Sequence, residues 1–295
     1  MEGITAGSFV AVMNALDLVS IWVTPFIRVS EGIRRPSLLR DRLRAFATRP
    51  VIVQLMGTDV ALLCATAARL VVEPGVIGID LNCACPTPIV VSNGGGGGRL
   101  RDPRWIRDAL LALRLACPTT GLSVKIRAGL KSDDELPRIC DAVLEGQPDF
   151  VTLHYRTVEE RYRAAPDGLR RLARARERLP GLPLFGSGDL YSVEAAARMF
   201  AVAAVDGVAP ARGLAANPWL LRDIEADCRG EDVPVRTEME KRGFLIRVIA
   251  QAERTGTWRP GFVLEVARHQ FGRAHPLFDG LLEADSAASM RAVLT

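Results

Sequence analysis

The chain is expected to fold as an α/β protein: a TIM-type (β/α)8 barrel with a truncated first strand, followed by a small all-α C-terminal domain. Three observations predict this. Seven short apolar runs, rich in β-branched residues, recur between residues 19 and 210. Helix-period segments of crossover length separate most of them, the pattern of parallel strands joined by helices. After Pro218-Trp219 the strand-like runs cease and only helical patterns continue.

The expected strands lie at 19–24, 51–56, 76–82, 121–127, 149–154, 182–187 and 204–210. Most are dominated by Val, Ile, Leu and Phe, as strands covered on both faces require. Helices are expected near 59–72, 103–115, 133–144, 167–178 and 191–201, with residues such as Asp133 and Ser192 at their N-caps. Seven strands are one short of a closed eight-stranded barrel. The chain opens at Met1-Glu2-Gly3-Ile4-Thr5 without an apolar run, so the missing strand is expected to be the first. Either the start lies a few residues upstream or the barrel is compromised. From about 236 three helical stretches follow, with Gly230 to Pro234 as a linker. The expected division is a barrel over 1–229 and a helical domain over 230–295.

Composition bounds the function. With 295 residues, 48% hydrophobic and 24% charged, the chain can bury a full core. It contains no uninterrupted apolar run of about 18 residues and no basic leader with a cleavage site, so no membrane span or export is expected. Six cysteines without paired CxxC spacing suggest free thiols in a reducing cytoplasm, and no metal site is expected. Positive charge is almost all arginine, with lysine only at 125, 131 and 241. It is also uneven. Residues 28–49 hold seven arginines against two acids, a local +5, and residues 156–178 hold eight against four, a local +4. Such stretches suit phosphate backbones, although solvated arginine-rich helix faces are common.

The most informative segment is 77–102, IGIDLNCACPTPIVVSNGGGGGRLRD. It places Cys85 where Pro86 ends a buried strand, beside a five-glycine run whose backbone can approach a ligand closely. The bland reading is a buried cysteine before a flexible loop. Further along, polar residues recur at one end of successive strands: Gln54, Asn82, Lys125 with Arg127, His154 with Arg156, Gly186 to Asp189, and Ala211-Arg212-Gly213. In register, they would line the C-terminal rim, where such barrels do their chemistry. The loops after the last two strands are where these barrels often hold a phosphate, using backbone N–H groups and a helix N-terminus. No GxGxxG follows an early strand, which argues against a resident Rossmann-bound nicotinamide.

Taken together, Asn82-x-Ala84-Cys85-Pro86, the glycines, Asp102-Pro103, His154-Tyr155-Arg156-Thr157, Tyr162-Arg163-Ala164 and Asn217-Pro218-Trp219 resemble the tRNA-dihydrouridine synthases. The likeness runs from residue 1 to about 222. Met1-Glu2-Gly3 and Phe26-Ile27-Arg28-Val29 resemble most the bacterial subgroup acting on uridine 16. The resemblance implies FMN, held by Met1, Glu2, Gln54, Lys125, His154, Ser187, Gly188, Asp189, Ala211 and Arg212, with NADPH as reductant. It implies Cys85 as proton donor to C5 of a uracil, and Asn82 as an orienting residue. It also implies tRNA as substrate, met by Arg28, Arg34, Arg35, Arg156 and Arg163 in the basic stretches and by Arg268 and Arg273 on a terminal helix. A cytoplasmic monomer is expected. The chain departs from the family pattern at Ala84, Pro88, Tyr155, Ser187 and Ala211. Two rival readings are a flavin barrel acting on a free pyrimidine and a tRNA-binding paralogue without catalysis.

Overall fold

The computed structural model describes residues 6–30 and 43–295. Its centre is a curled, wholly parallel sheet in which β3 (Val51–Met56), β4 (Val76–Cys83), β5 (Gly121–Arg127), β6 (Phe150–His154), β7 (Leu184–Ser187) and β8 (Gly207–Val208) pair in chain order. At the other edge, β1 (Trp22–Val23) and β2 (Ile27–Arg28) both lie on β3, with Trp22 opposite Val51 and Ile27 opposite Leu55. The strand expected at 19–24 is therefore two short pieces, displaced toward the C-terminus. Pro25 explains the break, because it has no N–H for a ladder. Thr24 bridges the gap: its N–H donates to Ile52 O at 3.0 Å and its hydroxyl accepts from the Gln54 N–H at 3.0 Å. Among the described residues no ladder joins β8 to β1, so the sheet is an open, barrel-like arc.

The helices follow the expected rhythm. α1 (Gly7–Ala15) precedes the sheet, and α2 (Val60–Leu70) begins at Asp59, whose carboxylate accepts from the Leu62 N–H. Two features that sequence alone reads as loop are ordered: α3 (Pro88–Ser92) and a 3-10 turn over Gly96–Arg101. Asp102 caps α4 (Pro103–Ala116), with Pro103 in the first turn, where a missing N–H costs nothing. α5 (Leu136–Glu145) is preceded by a 3-10 turn that Ser132 caps, rather than Asp133. α6 (Gly168–Arg178) and α7 (Val193–Ala203) complete the outer layer, and Ser192 caps α7 as expected. Short α8 (Arg212–Ala216) and α9 (Leu220–Cys228) close the α/β part.

Four helices follow: α10 (Glu238–Arg254), α11 (Pro260–Phe271), α12 (Pro276–Glu283) and α13 (Ala287–Leu294). They share one core with the sheet layer. Phe9 of α1 meets Phe244 edge-on at 5.5 Å and Phe262 at 6.2 Å. The connecting segment is fastened as well. Arg236 donates to the buried Asp223 carboxylate at 2.6 Å while lying over the Trp219 ring. Among the described residues no helix is long and apolar enough to cross a membrane.

Candidate active site

Parallel pairing sets the height of each polar side chain. Asp80 lies opposite Ser123, Asn82 opposite Lys125, Arg127 opposite His154, and His154 opposite Ser187. Because side chains alternate along a strand, Asp80 and Asn82 share one face of β4, as Ser123 and Lys125 do on β5. That face is the inside of the arc. The expected residues on these strands therefore converge on one rim.

A buried hydrogen-bonded chain occupies the floor. The Asp80 carboxylate accepts from Ser123 Oγ at 2.6 Å and from Gln54 Nε2 at 2.8 Å. Gln54 Oε1 accepts from Asn82 Nδ2 at 2.7 Å. Asn82 Oδ1 accepts from the N–H groups of both Ala84 and Cys85, each at 3.0 Å. The Asn82 carbonyl is thus fully used in holding the Cys85 turn, and only one N–H of its amide remains for a ligand. Sequence reasoning passed over Asp80, although an acid inside an otherwise apolar strand was a legible signal.

Cys85 is partly exposed, with Sγ 3.4 Å from Thr87 Oγ1. Cys83 is wholly buried, and burial with the nearby Asp80 charge pushes its thiol strongly up. Two glycines of the run pack against the Cys85 turn. A Cβ on Gly96, whose φ is +50°, would lie 2.7 Å from the Cys85 Cβ, and the Gly97 N–H donates to Cys85 O at 3.0 Å. The buried Arg127 guanidinium clamps the other side, donating to Ala84 O at 2.8 Å and Thr157 O at 2.9 Å. Burial lowers its proton affinity to about 10.

Lys125 stands above this floor, half-buried, with no hydrogen bond or ion pair among the described residues. Burial brings its pKa down to about 8, against the pull of Asp80. His154 is driven to about 2 by burial first and then by the cations of Arg127, Lys125, Arg156 and Arg212. It is therefore neutral. Its Nδ1 accepts from the Arg156 N–H at 3.2 Å, which assigns the ring proton to Nε2.

The last two loops lie beside this mouth. Ser187 Oγ donates to Ala209 O at 3.1 Å, and the chain then turns through Gly188 at φ +131° and Asp189 at φ +36°. The N–H groups of Gly188 and Asp189 donate to nothing among the described residues, and α8 begins at Arg212 after the exposed Ala211. Arg212 lies over the rings of Tyr162 at 4.9 Å and Tyr191 at 5.6 Å, with Asp189 3.4 Å away. Tyr155, at a position where the pattern has glycine, packs its ring against Gly168 and Gly188, where an added Cβ would lie within 2.7 Å. Free N–H groups, a helix start and a partly exposed arginine fit a phosphate. An unpaired lysine and a neutral imidazole donor fit the polar edge of a ring. These residues fit FMN.

Of the expected FMN contacts, Met1 and Glu2 lie outside the described residues. The expected substrate contacts separate into groups, and Arg34 and Arg35 also lie outside the described residues. Arg28, Arg163 and Arg273 are exposed, and Arg268 is half-buried against Glu265. Arg156 is 2% exposed and forks onto Asp189, so it cannot meet a phosphate backbone directly. Much of the 156–178 stretch is likewise spent internally. Arg170, Arg171, Arg174, Arg176 and Arg178 pair with Asp167, Glu160, Asp133, Asp206 and Asp141 respectively. Its local +4 is mostly a set of ion pairs.

A family model described as dihydrouridine synthase (Dus) matches residues 1–257. Over 233 residues the chain is 30% identical to the tRNA-dihydrouridine(16) synthases of Shigella flexneri and of Escherichia coli (strain K12), covering 76% of this chain and 73% of each relative. It is 32% identical over 200 residues to the tRNA-dihydrouridine(16) synthase of Pasteurella multocida (strain Pm70), covering 65% of this chain and 63% of that one. A model spanning most of the chain, with its cysteine turn and polar rim assembled on one sheet, places the protein firmly: this chain belongs to the dihydrouridine synthase family.

Proposed function

We propose that the protein reduces the C5=C6 bond of a uridine in the D-loop of tRNA, with position 16 as its target. The carrying observation is Cys85, the partly exposed thiol held on the rim where Lys125, opposite Asn82, stands unpaired among the described residues. The names of the relatives support position 16. The chemistry FMN supplies when bound, and when reduced at the expense of NADPH, is a hydride for C6 of the uracil.

The chain's own residues do the rest. Cys85 Sγ holds the proton that C5 receives on the opposite face, so an S–H bond breaks as a C–H bond forms. A thiol suits this step, being weak enough to stay protonated near neutrality and acid enough to give the proton up. Asn82 offers its remaining N–H to the base while its carbonyl keeps the Cys85 turn in place. Lys125 sets a positive charge where negative charge would gather on the ring system. His154 donates from Nε2. Gly188, Asp189 and the first turn of α8 present N–H groups to the phosphate, with Arg212 beside them.

The uracil must leave its stack to reach this mouth, as base-modifying enzymes require. Exposed Arg28, Arg163 and Arg273, with Arg268 and with Arg34 and Arg35, are the cations available to the backbone. Residues 230–295 act as the tRNA-binding part. Mass spectrometry of tRNA from a strain lacking the gene tests this reading. Dihydrouridine should vanish from position 16 and return with the wild-type gene. Unchanged dihydrouridine at every position would refute it.

A further inference from the structure

Asp80 is an acid 2% exposed, deep inside a parallel sheet, level with Gln54 and two residues below the Asn82–Lys125 pair. Its two oxygens are satisfied by Ser123 Oγ and Gln54 Nε2. A carboxylate accepts and never donates when ionised, so Gln54 must turn its NH2 downward to it. That leaves Gln54 Oε1 facing Asn82, which must then present its own NH2. Asn82 Oδ1 is left for the N–H groups of Ala84 and Cys85. Each amide could flip by itself with little change of shape. Rooted in a carboxylate, neither can flip without facing donor to donor.

We propose that Asp80 is a positioning residue, which fixes the facing of Gln54 and Asn82 and through them the turn that carries Cys85. The inference rests on the reading above only in giving Cys85 a reaction to perform. Burial raises the Asp80 carboxyl above its ordinary range, and the hydrogen bonds from Ser123 and Gln54, then the charge of Lys125, oppose that rise. A stability role alone would not need this order, since an apolar residue in the same place avoids burying a charge.

The test needs neither flavin nor tRNA. In the purified full-length protein, iodoacetamide labelling of Cys85 is followed by peptide mass spectrometry, with exposed Cys228 as the internal reference. Asp80→Asn is isosteric but can also donate, so nothing forces it to offer Gln54 an acceptor and the relay is no longer locked in one direction. Cys85 should label at least about threefold faster, the order of effect expected from one net hydrogen bond, while Cys228 keeps its rate. Asn82→Ala should do the same, and adding Asp80→Asn to it should change nothing further. If Asp80→Asn does not fold, Gln54→Met cuts the same chain and must also speed Cys85. Wild-type labelling of Cys85 in the folded variant, or additive effects in the double variant, would overturn the proposal. If the relay variants behave as expected and the wild-type enzyme reduces no tRNA, the relay stands and the functional reading falls.

Discussion

Lys125 and the arginine-rich segment at 156–178 carry positive charge in opposite ways. The segment holds eight arginines, six of which are matched to acids, most of them across neighbouring elements. Lys125 is one residue, unpaired among the described residues, at the mouth of a polar interior. A row of cations in sequence therefore says little about field, because neighbouring helices can bring acids to each one. A single cation at a strand end says more, because its height in the sheet is fixed. The arginine segment is a fastening, and Lys125 stands on the candidate rim.

The contrast breaks most readily at Arg171. It is 8% exposed and holds Glu160 at 2.7 Å and 3.0 Å, with Asp133 at 3.5 Å. Arg171→Ala should cost about 3 kcal/mol in urea unfolding, since it leaves the partly buried Glu160 unmatched. Arg170→Ala, removing an exposed pair, should cost under about 0.5 kcal/mol. Equal costs would mean that the segment is not a fastening. Reversing both together therefore cannot report on tRNA alone.

Lys125→Met should slow reduction of bound flavin by NADPH by roughly tenfold, about what one lost charge contact contributes. The same rate should fall in the wild type as pH rises through about 8, where the lysine discharges, and that pH step should be absent from the variant. Wild-type flavin content and reduction kinetics in Lys125→Met would remove it from the site.

His154 sharpens the comparison through stability. Its folded pKa, near 2, lies below the ordinary value of 6.5, so the unfolded chain binds the extra proton between them. The stability it contributes is complete above 6.5 and is lost as pH falls. In flavin-free protein, His154→Asn should flatten that acid slope by up to about 1.4 kcal/mol per pH unit. An unchanged slope would mean that the imidazole is not held neutral.

The smallest effect concerns tRNA. Arg163 makes no ion pair among the described residues, and its guanidinium donates only to the main-chain carbonyl O of Glu159. Its loss should flatten the log K versus log salt slope by about one unit, whereas loss of Arg174, paired with Asp133, should leave the slope alone. Equal slopes for the two would restore the segment as a tRNA path.

Much of the site was legible because strand ends are legible. Gln54, Asn82, Lys125, His154 and Ser187 each lie at or near the end of an apolar run, and parallel pairing then brings them to one rim. What escaped was long-range partnership. Nothing local to Arg156 announces Asp189, thirty-three residues on, and nothing near Arg171 singles out Glu160 and Asp133. The glycine run hides a partner in the same way. Sequence shows that a close approach is needed, but not that the approaching chain is the Cys85 turn itself. Pro25 splits the first described strand as a proline should, yet the second piece at Ile27–Arg28 was hidden by its length.

The proposed task of Cys85, on this rim, is to deliver a proton to a tRNA uracil. The most direct measurement is mass spectrometry of tRNA incubated with purified protein, FMN and NADPH, comparing wild type, Cys85→Ala and Cys83→Ala. The account predicts a gain of two hydrogens at uridine 16 with the wild type and with Cys83→Ala. It predicts a loss of roughly 10²–10⁴-fold in rate with Cys85→Ala, which should still bind FMN and oxidise NADPH. Full activity in Cys85→Ala, or reduction of free uracil with none of tRNA, would contradict it.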